Sequence, residues 1–249
     1  MKTKIYLFIT VLIALSFTFS SCKKEKTSAL NDQTQAAPTQ YYHGHNAGLG
    51  PNGGYPSGTP FYLPPYVKII GDIRGGIQSS KELMKFDKQT YHGPFPCFSQ
   101  LKANWTDYGT GTFVNLYIKF YNILPTNAIL TLPGGLIFVD STDVNDTIGI
   151  YQKGFILQAV NIQLPAQDTA FACIRAYCIN LHLMPSTYDA VYFIGPVTNN
   201  PDLDQMVTIM QPKQYPFGSE SDIQSIIWDV TDYGLSLTTQ QVAYLNGLP

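Results

Sequence analysis

The first residue of this chain with reactive chemistry is Cys22, and the residues before it predict what happens to it. Two lysines near the start precede an uncharged run from Ile5 to Phe19, which is followed by two serines. A basic start, a short apolar run and small residues are typical of a secretory signal. A signal peptidase that cuts before Cys22 would leave a thiol and a new amino group for acylation. We therefore expect residues 1–21 to be removed as a signal peptide and Cys22 to be lipidated.

The segment Leu15–Cys22 resembles the lipobox of bacterial lipoproteins, with serines where many versions carry Ala or Gly. The next residues, Lys23–Lys26, are similar to the start of many Gram-negative lipoproteins. This resemblance implies a palmitate-type lipid anchor and a place in the cell envelope, at the outer membrane of a Gram-negative bacterium. The mature protein would be tied to the membrane through the lipid on Cys22 and would not span it.

Three further thiols remain once Cys22 is lipidated, namely Cys97, Cys173 and Cys178. In an oxidising compartment an odd number leaves at least one thiol unpaired. Cys173 and Cys178 are five residues apart, so on one regular strand they face opposite sides and do not readily bridge each other. The pairing among the three stays open, with a bond from Cys97 to one of the other two as one option.

Two later segments resemble the reactive motifs of bacterial thioester domains, which are found in adhesins. One is the Tyr-Cys pair in Tyr177–Asn180, and the other is Ile223–Trp228, in which Gln is followed by two residues and Ile-Trp. The resemblance implies that the Cys178 thiol attacks the Gln224 side chain with loss of ammonia, and that Trp228 shields the thioester from water. A purely structural interpretation stands beside it, with a packed cysteine, a hydrogen-bonded amide and a tryptophan that anchors a helix.

The other residues with reactive or metal-binding side chains do not form a recognisable enzyme site. The chain has no Walker A loop, dinucleotide glycine fingerprint, HExxH or CxxC motif. His43 and His45 form an HxH pair but lack further donors for a tight metal site. Three acids, Asp140, Asp143 and Asp146, do not follow the ligand spacing of an EF-hand, and we interpret them as loop acids that face solvent. We therefore expect no catalytic residues, no metal and no cofactor.

Charge and composition exclude some partners and favour others. The chain has 15 basic and 17 acidic residues, and removing residues 1–21 takes away two lysines, which gives 13 against 17 and a net charge of −4. Such a balance offers no basic footprint for nucleic acid. Aromatic residues make up 13% of the chain, as many as the charged ones, and aromatic residues suit pleated strands.

Residues 66–198 carry a period of two and frequent turn signals, which predict an antiparallel β-sandwich. In one run, Leu116, Ile118 and Phe120 point to one face, and the residues between them point to the other. The segments Leu132–Val139 and Ala176–His182 also resemble a group of uncharacterised secreted sandwich domains, a resemblance that implies architecture but no activity.

The pattern changes near residue 199, and residues 199–249 predict short helices. Asn200 with Pro201 is a helix start signal, and apolar residues follow at spacings of three and four. Ser219 with Asp222, and Thr238 with Gln241, resemble capping boxes. We expect this C-terminal segment to dock on the sandwich or to form a small appended unit.

Residues 22–65 are rich in Ser, Thr, Gln, Asn, Gly and Pro, and predict a flexible tether. The expected whole is thus a lipid-anchored, non-enzymatic envelope module that binds a protein or glycan, or has a structural role. The alternative is an adhesin that couples covalently through the thioester. Exposed loop aromatics are the candidate contact residues: Tyr55, Phe61, Tyr62, Tyr91, Trp105 and Tyr108.

Overall fold

Most strands of this protein contribute residues to one hydrophobic core, and several of them alternate between buried and more exposed positions. The computed structural model describes residues 47–76, 105–143, 149–214 and 218–249, all within one compact unit that spans residues 38–249. The signal peptide, Cys22, His43, His45, Tyr91, Cys97 and Asp146 lie outside the described residues.

Eleven strands are present in this part of the chain. They are β1 (Gly58–Thr59), β2 (Val67–Ile69), β3 (Ile73–Gly75), β4 (Trp105–Tyr108), β5 (Val114–Asn122), β6 (Ala128–Leu132), β7 (Leu136–Asp140), β8 (Gly154–Phe155), β9 (Val160–Leu164), β10 (Thr169–Cys178) and β11 (Val191–Thr198).

The main sheet closes on itself, whereas the sequence predicts a two-sheet sandwich. Pairing runs from β5 through β3, β11, β7, β8 and β10 and back to β5, which makes a six-stranded barrel. These six strands pair antiparallel, while β4 runs parallel to β10, and β6 and β9 form a separate antiparallel pair. The fold is therefore mainly β, as expected, but the closure is not the expected arrangement. Closure depends on very short strands such as β8, which carry no pattern of their own.

Two hydrophobic cores lie on opposite faces of the barrel wall. Strand β7 is buried on both faces: Leu136 and Phe138 belong to one core, and Ile137 and Val139 to the other. A continuous apolar run is the pattern expected for such a strand. The second core includes the apolar residues of the C-terminal helices, so these helices cover the outer side of the wall.

Three helices follow β11: α1 (Pro201–Met210), α2 (Glu220–Thr231) and α3 (Thr239–Gly247). The Asn200 side chain accepts hydrogen bonds from the amides of Asp202 and Leu203, which confirms the predicted cap of α1. Thr238 and Gln241 form the predicted capping box of α3. The predicted box at Ser219 is wrong, since the Ser219 side chain makes no capping bond.

The described part of the expected tether, residues 47–65, packs against the barrel and the helices. Leu49 is 1% exposed in the second core, here called the helical core because it contains the apolar residues of the three helices. Strand β1 pairs with β11. Gly50 has a φ of +56°, and a side chain there would meet the backbone of Thr231. Glycines therefore serve here for close approach and not only for flexibility.

None of the helices in the described ranges has the length and apolar character needed to cross a bilayer.

Candidate functional site

The site predicted from motif resemblance is assembled where strand β10 ends. Cys178 is the last residue of β10, and its neighbour β5 begins at Val114, which pairs with Ala176. The backbone edge of β10 at Cys178 is thus left without a partner from β5. The side chain of Gln224 fills this place.

Gln224 reaches the strand because helix α2 docks through an apolar stripe. Ile223, Ile226, Ile227 and Val230 are buried in the helical core. Their spacing of three and four residues is the amphipathic pattern that fixes one face of a helix toward the protein. Gln224 follows Ile223 directly, is 0% exposed, and is thereby held against the end of β10.

Two hydrogen bonds join the Gln224 carboxamide to the backbone of Cys178. The Cys178 N–H donates to Gln224 Oε1 at 2.8 Å, and Gln224 Nε2 donates to the Cys178 carbonyl at 2.6 Å. These residues are 46 positions apart in the chain, and both are 0% exposed. The structure therefore brings together the two residues that the motif resemblance pairs, in a place closed to water.

The Cys178 thiol is buried and protonated. Burial raises the pKa of Cys178 to about 12, against smaller lowering effects from the Asn180 amide and the Trp228 side chain, and Asp232 adds a small increase. The Asn180 N–H donates to Cys178 Sγ at 3.3 Å. A thiol in this state is inert toward reagents in the solvent, since the thiolate is the nucleophilic form.

Trp228 lies one turn beyond Gln224 and packs against the core that contains Cys178. Its ring meets Phe113 edge to face, with centroids 5.2 Å apart and planes at 70°. The indole Nε1 is buried without a conventional hydrogen bond, and its interaction is with the Cys178 side chain. Phe113 is 38% exposed, so this aromatic pair extends from the thiol to the surface. The sequence interpretation did not include Phe113.

The carboxyl group of Asp232 lies near enough to the Cys178 thiol to influence it. Asp232 accepts hydrogen bonds from the Leu181 N–H and the Thr231 hydroxyl, both at 2.8 Å. Burial raises the pKa of Asp232, and these two bonds and the charge of His182 oppose the shift. His182 itself is exposed.

Asn180 is a further residue that sequence reasoning did not select, although it ends the quoted Tyr-Cys segment. Its Nδ2 donates to the Gly50 carbonyl at 2.7 Å, and its Oδ1 accepts from the Lys153 N–H at 3.3 Å. Asn180 therefore connects the chain just after Cys178 to the segment around Gly50.

One cysteine thiol is unpaired, as the odd number of thiols predicts. Cys173 is disulfide-bonded, and Cys178 is free. The two cysteines of β10 are not bonded to each other, as their spacing predicts.

The candidate contact aromatics divide into two groups. Tyr62 is 81% exposed and Phe61 half-buried beside a cleft of about 400 Å³, which Phe193 also lines. Tyr55 is stacked on Phe193, with ring centroids 6.0 Å apart. Trp105 and Tyr108, expected in loops, are half-buried on strand β4 instead.

The expected loop acids are also placed differently. Asp140 is 0% exposed and Asp143 is 1% exposed, so the expectation that they face solvent is wrong. Each is buried with polar partners, and Asp143 is paired with Lys153. Among the described residues, no group of three or more His, Cys, Asp or Glu side chains is arranged to hold a metal ion.

Comparison with protein-family models, with curated proteins and with solved structures finds no match for this chain.

Proposed function

We propose that this protein is a lipid-anchored surface module of the cell envelope that couples covalently to a partner through a thioester between Cys178 and Gln224. The observation that carries this proposal is the paired contact of the Gln224 carboxamide with Cys178 inside a fully buried site. The module is consumed once when it reacts, so it is a binding protein and not an enzyme. Its anchor is the lipid on Cys22.

The hydrogen bonds support the acyl-transfer step. When Cys178 Sγ adds to the Gln224 side-chain carbon, negative charge develops on Oε1, which already accepts the Cys178 N–H at 2.8 Å. A donor fixed at the oxygen that gains charge stabilises such an intermediate. Nε2 then leaves as ammonia with the proton from the thiol, and the bond from sulfur to carbon remains.

Burial supports the survival of the product. A thioester persists only where water is excluded, and both residues are 0% exposed. An amine of a docked partner would attack the same carbon, break its bond to sulfur and return a proton to the Cys178 thiol. The result is an amide between Gln224 and the partner.

A second candidate is non-covalent binding in the aromatic cleft, which matches the expectation of a glycan or protein ligand. Tyr62 and Phe61 border this cleft, and Asp72 lies in its wall. Exposed rings with a nearby carboxylate suit sugars, which combine apolar faces with hydroxyl groups. This binding and the thioester do not exclude each other, since they use different residues.

Mass spectrometry tests the thioester directly. The full-length protein is treated with methylamine, reduced, alkylated and digested with trypsin. Gln224 then lies in the peptide of residues 214–249 and Cys178 in that of residues 176–213. A thioester predicts that Gln224 becomes a methylamide, about 14 Da heavier than glutamine, and that Cys178 becomes available for alkylation. Before treatment, the intact chain should be about 17 Da lighter than its composition requires, because ammonia has left.

Two variants and an internal control sharpen this test. Cys178→Ala should show neither methylamide nor ammonia loss, and Gln224→Glu should take up no amine. Gln241 lies in the same peptide and should stay unmodified. If the wild-type chain has its full mass before treatment and takes up no methylamine afterwards, no thioester is present and non-covalent binding is the function that remains.

A further inference from the structure

The structure contains a second pair of buried reactive groups, which the proposed function does not use. Lys153 Nζ is in direct contact with Asp143 Oδ2, and each side chain is 1% exposed. Asp143 follows β7, and Lys153 precedes β8. Removing two full charges from water is unfavourable unless their attraction and further hydrogen bonds compensate for the lost hydration.

The backbone of residues 48–54 surrounds this pair. Lys153 Nζ donates to the carbonyls of Gly48 at 2.7 Å and Gly54 at 3.2 Å. The Gly54 N–H donates to Asp143 Oδ1 at 2.7 Å. Asp143 Oδ2 is buried and has no hydrogen-bond partner apart from its contact with Lys153. The two oxygens of Asp143 are therefore in different environments.

A second carboxyl group stands close to Asp143. Asp140 is 0% exposed, and its Oδ2 accepts the amides of Ile150 at 3.0 Å and Tyr151 at 2.9 Å. A Cβ on Gly149 would lie 3.0 Å from Asp140 Oδ2 and 3.3 Å from Asp143 Cγ. Both carboxyl groups thus border the space next to Gly149, and a larger residue there would displace them.

Burial of Lys153 favours the neutral form of its amine. Burial lowers the pKa of Lys153, although Asp143 and Asp140 both act to raise it. In a dry site, moving a proton from the ammonium to a carboxylate removes two charges at once. The products are a free amine and a carboxylic acid in contact, which are the reactants of amide formation.

We propose that Lys153 and Asp143 become joined by an intramolecular amide bond. The Lys153 amine attacks Asp143 Cγ, and the Gly54 N–H stabilises the charge that develops on Oδ1. The bond from Cγ to Oδ2 then breaks, and Oδ2 leaves as water. Asp140 takes a proton from the attacking nitrogen and passes it to the leaving oxygen. One amine and one carboxylic acid give one amide and one water, with no oxidant or other reactant.

This bond would cross-link the ends of the loop between β7 and β8, and it is independent of the thioester. A permanent link restricts the unfolded chain as a disulfide does, but reductants cannot open it. The two joined side chains are also the ones that contact the backbone of Gly48 and Gly54.

Tryptic peptides of the full-length protein test this proposal. Trypsin cuts after a free Lys153, which gives residues 120–153 and 154–175 as separate peptides. The amide removes this cut, so we expect one peptide of residues 120–175 that is lighter by about 18 Da, the mass of water. Both thioester residues lie in other peptides, so either proposal can fail without the other. Efficient cleavage after Lys153 at full mass would leave only a buried ion pair.

Variants separate the bond from its ion pair. Lys153→Arg keeps a cation, but a guanidinium does not deprotonate, so the residue 143 side chain should retain its full mass. Asp140→Asn should slow bond formation and leave a larger uncoupled fraction in freshly made protein. Lys213→Arg is the matched control, since Lys213 Nζ donates to the carbonyls of Asn246 and Leu248. This control should keep the water loss in residues 120–175, and its absence there would contradict the proposal.

Discussion

At the residue scale, Gln224 has two properties that are separable by experiment. Its carboxamide acts as a strand partner for Cys178, because it meets both backbone polar groups at the end of β10. The same carboxamide is the proposed acyl donor. The first property is structural and belongs to the intact amide, because a thioester has lost Nε2 and with it the hydrogen bond to the Cys178 carbonyl.

We expect Gln224→Leu to lower the free energy of unfolding by about 2–5 kcal/mol, because it leaves a buried N–H and a buried C=O unpaired. Chemical denaturation measures this change in the Cys178→Ala background, where no thioester contributes. Ser225→Ala, at the exposed neighbouring position, should stay within about 0.5 kcal/mol of its parent. Equal stability of the two variants would mean that the Gln224 amide does not support the strand.

Residue-level prediction from the sequence succeeds where a motif links distant positions and fails where only residue type is used. Cys178 and Gln224 are paired by their motifs, and they are in contact. Asp140 and Asp143 are expected in solvent because acids usually lie there. Asp143 is buried against Lys153 and the backbone around Gly54, and Asp140 accepts the amides of Ile150 and Tyr151. No local pattern connects the two acids to these partners.

At the element scale, the ends of the helices show which sequence signals act. Asn200 has an extended backbone and caps α1 with two hydrogen bonds, as its position before Pro201 predicts. Ser219 has φ −108° and ψ 3°, so its hydroxyl does not cap α2. Instead, the neighbouring Glu220 side chain accepts the Gly218 N–H at 2.8 Å. A capping motif is thus not sufficient by itself, since the backbone must also enter the helix from an extended conformation.

We expect Asn200→Ala to destabilise the protein by about 1–2 kcal/mol and Ser219→Ala by less than about 0.5 kcal/mol. The two substitutions remove similar signals from the sequence but different bonds from the structure. Urea denaturation of both variants gives the comparison. A larger loss for Ser219→Ala than for Asn200→Ala would contradict the observed caps.

At the scale of the whole molecule, the class of fold is predictable from the sequence, but the closure of the sheet is not. Strands such as β5 and β9 carry a period of two, which is the same in a sandwich and a barrel. The ring is completed by β3 and β8, which have three and two residues and no readable pattern. Closure is therefore a property of long-range pairing, outside the reach of local periodicity.

The membrane anchor also belongs to this scale, and it remains a prediction from the sequence. We expect Cys22→Ala to abolish labelling by a fatty-acid probe and to leave an unprocessed precursor, because acylation needs the cysteine thiol. Ser21→Ala is the matched control, because lipoboxes commonly carry Ala at that place, and it should label normally. Wild-type protein that takes up no lipid and washes free of membranes would contradict the anchor.

The hydrogen bonds made by residues 48–54 determine how a pulling force would be transmitted through the molecule. In a chain held at Cys22 and coupled to a partner at Gln224, a pulling force enters the described fold near residue 47. There Lys153 donates hydrogen bonds to the carbonyls of Gly48 and Gly54, and Asn180 donates one to the carbonyl of Gly50. Asn180 is two residues from Cys178, so in such a chain the force would pass through the end of β10 and the adjacent helix. The long pairing of β5 with β10 lies outside this route, so a partner could pull without unzipping the barrel.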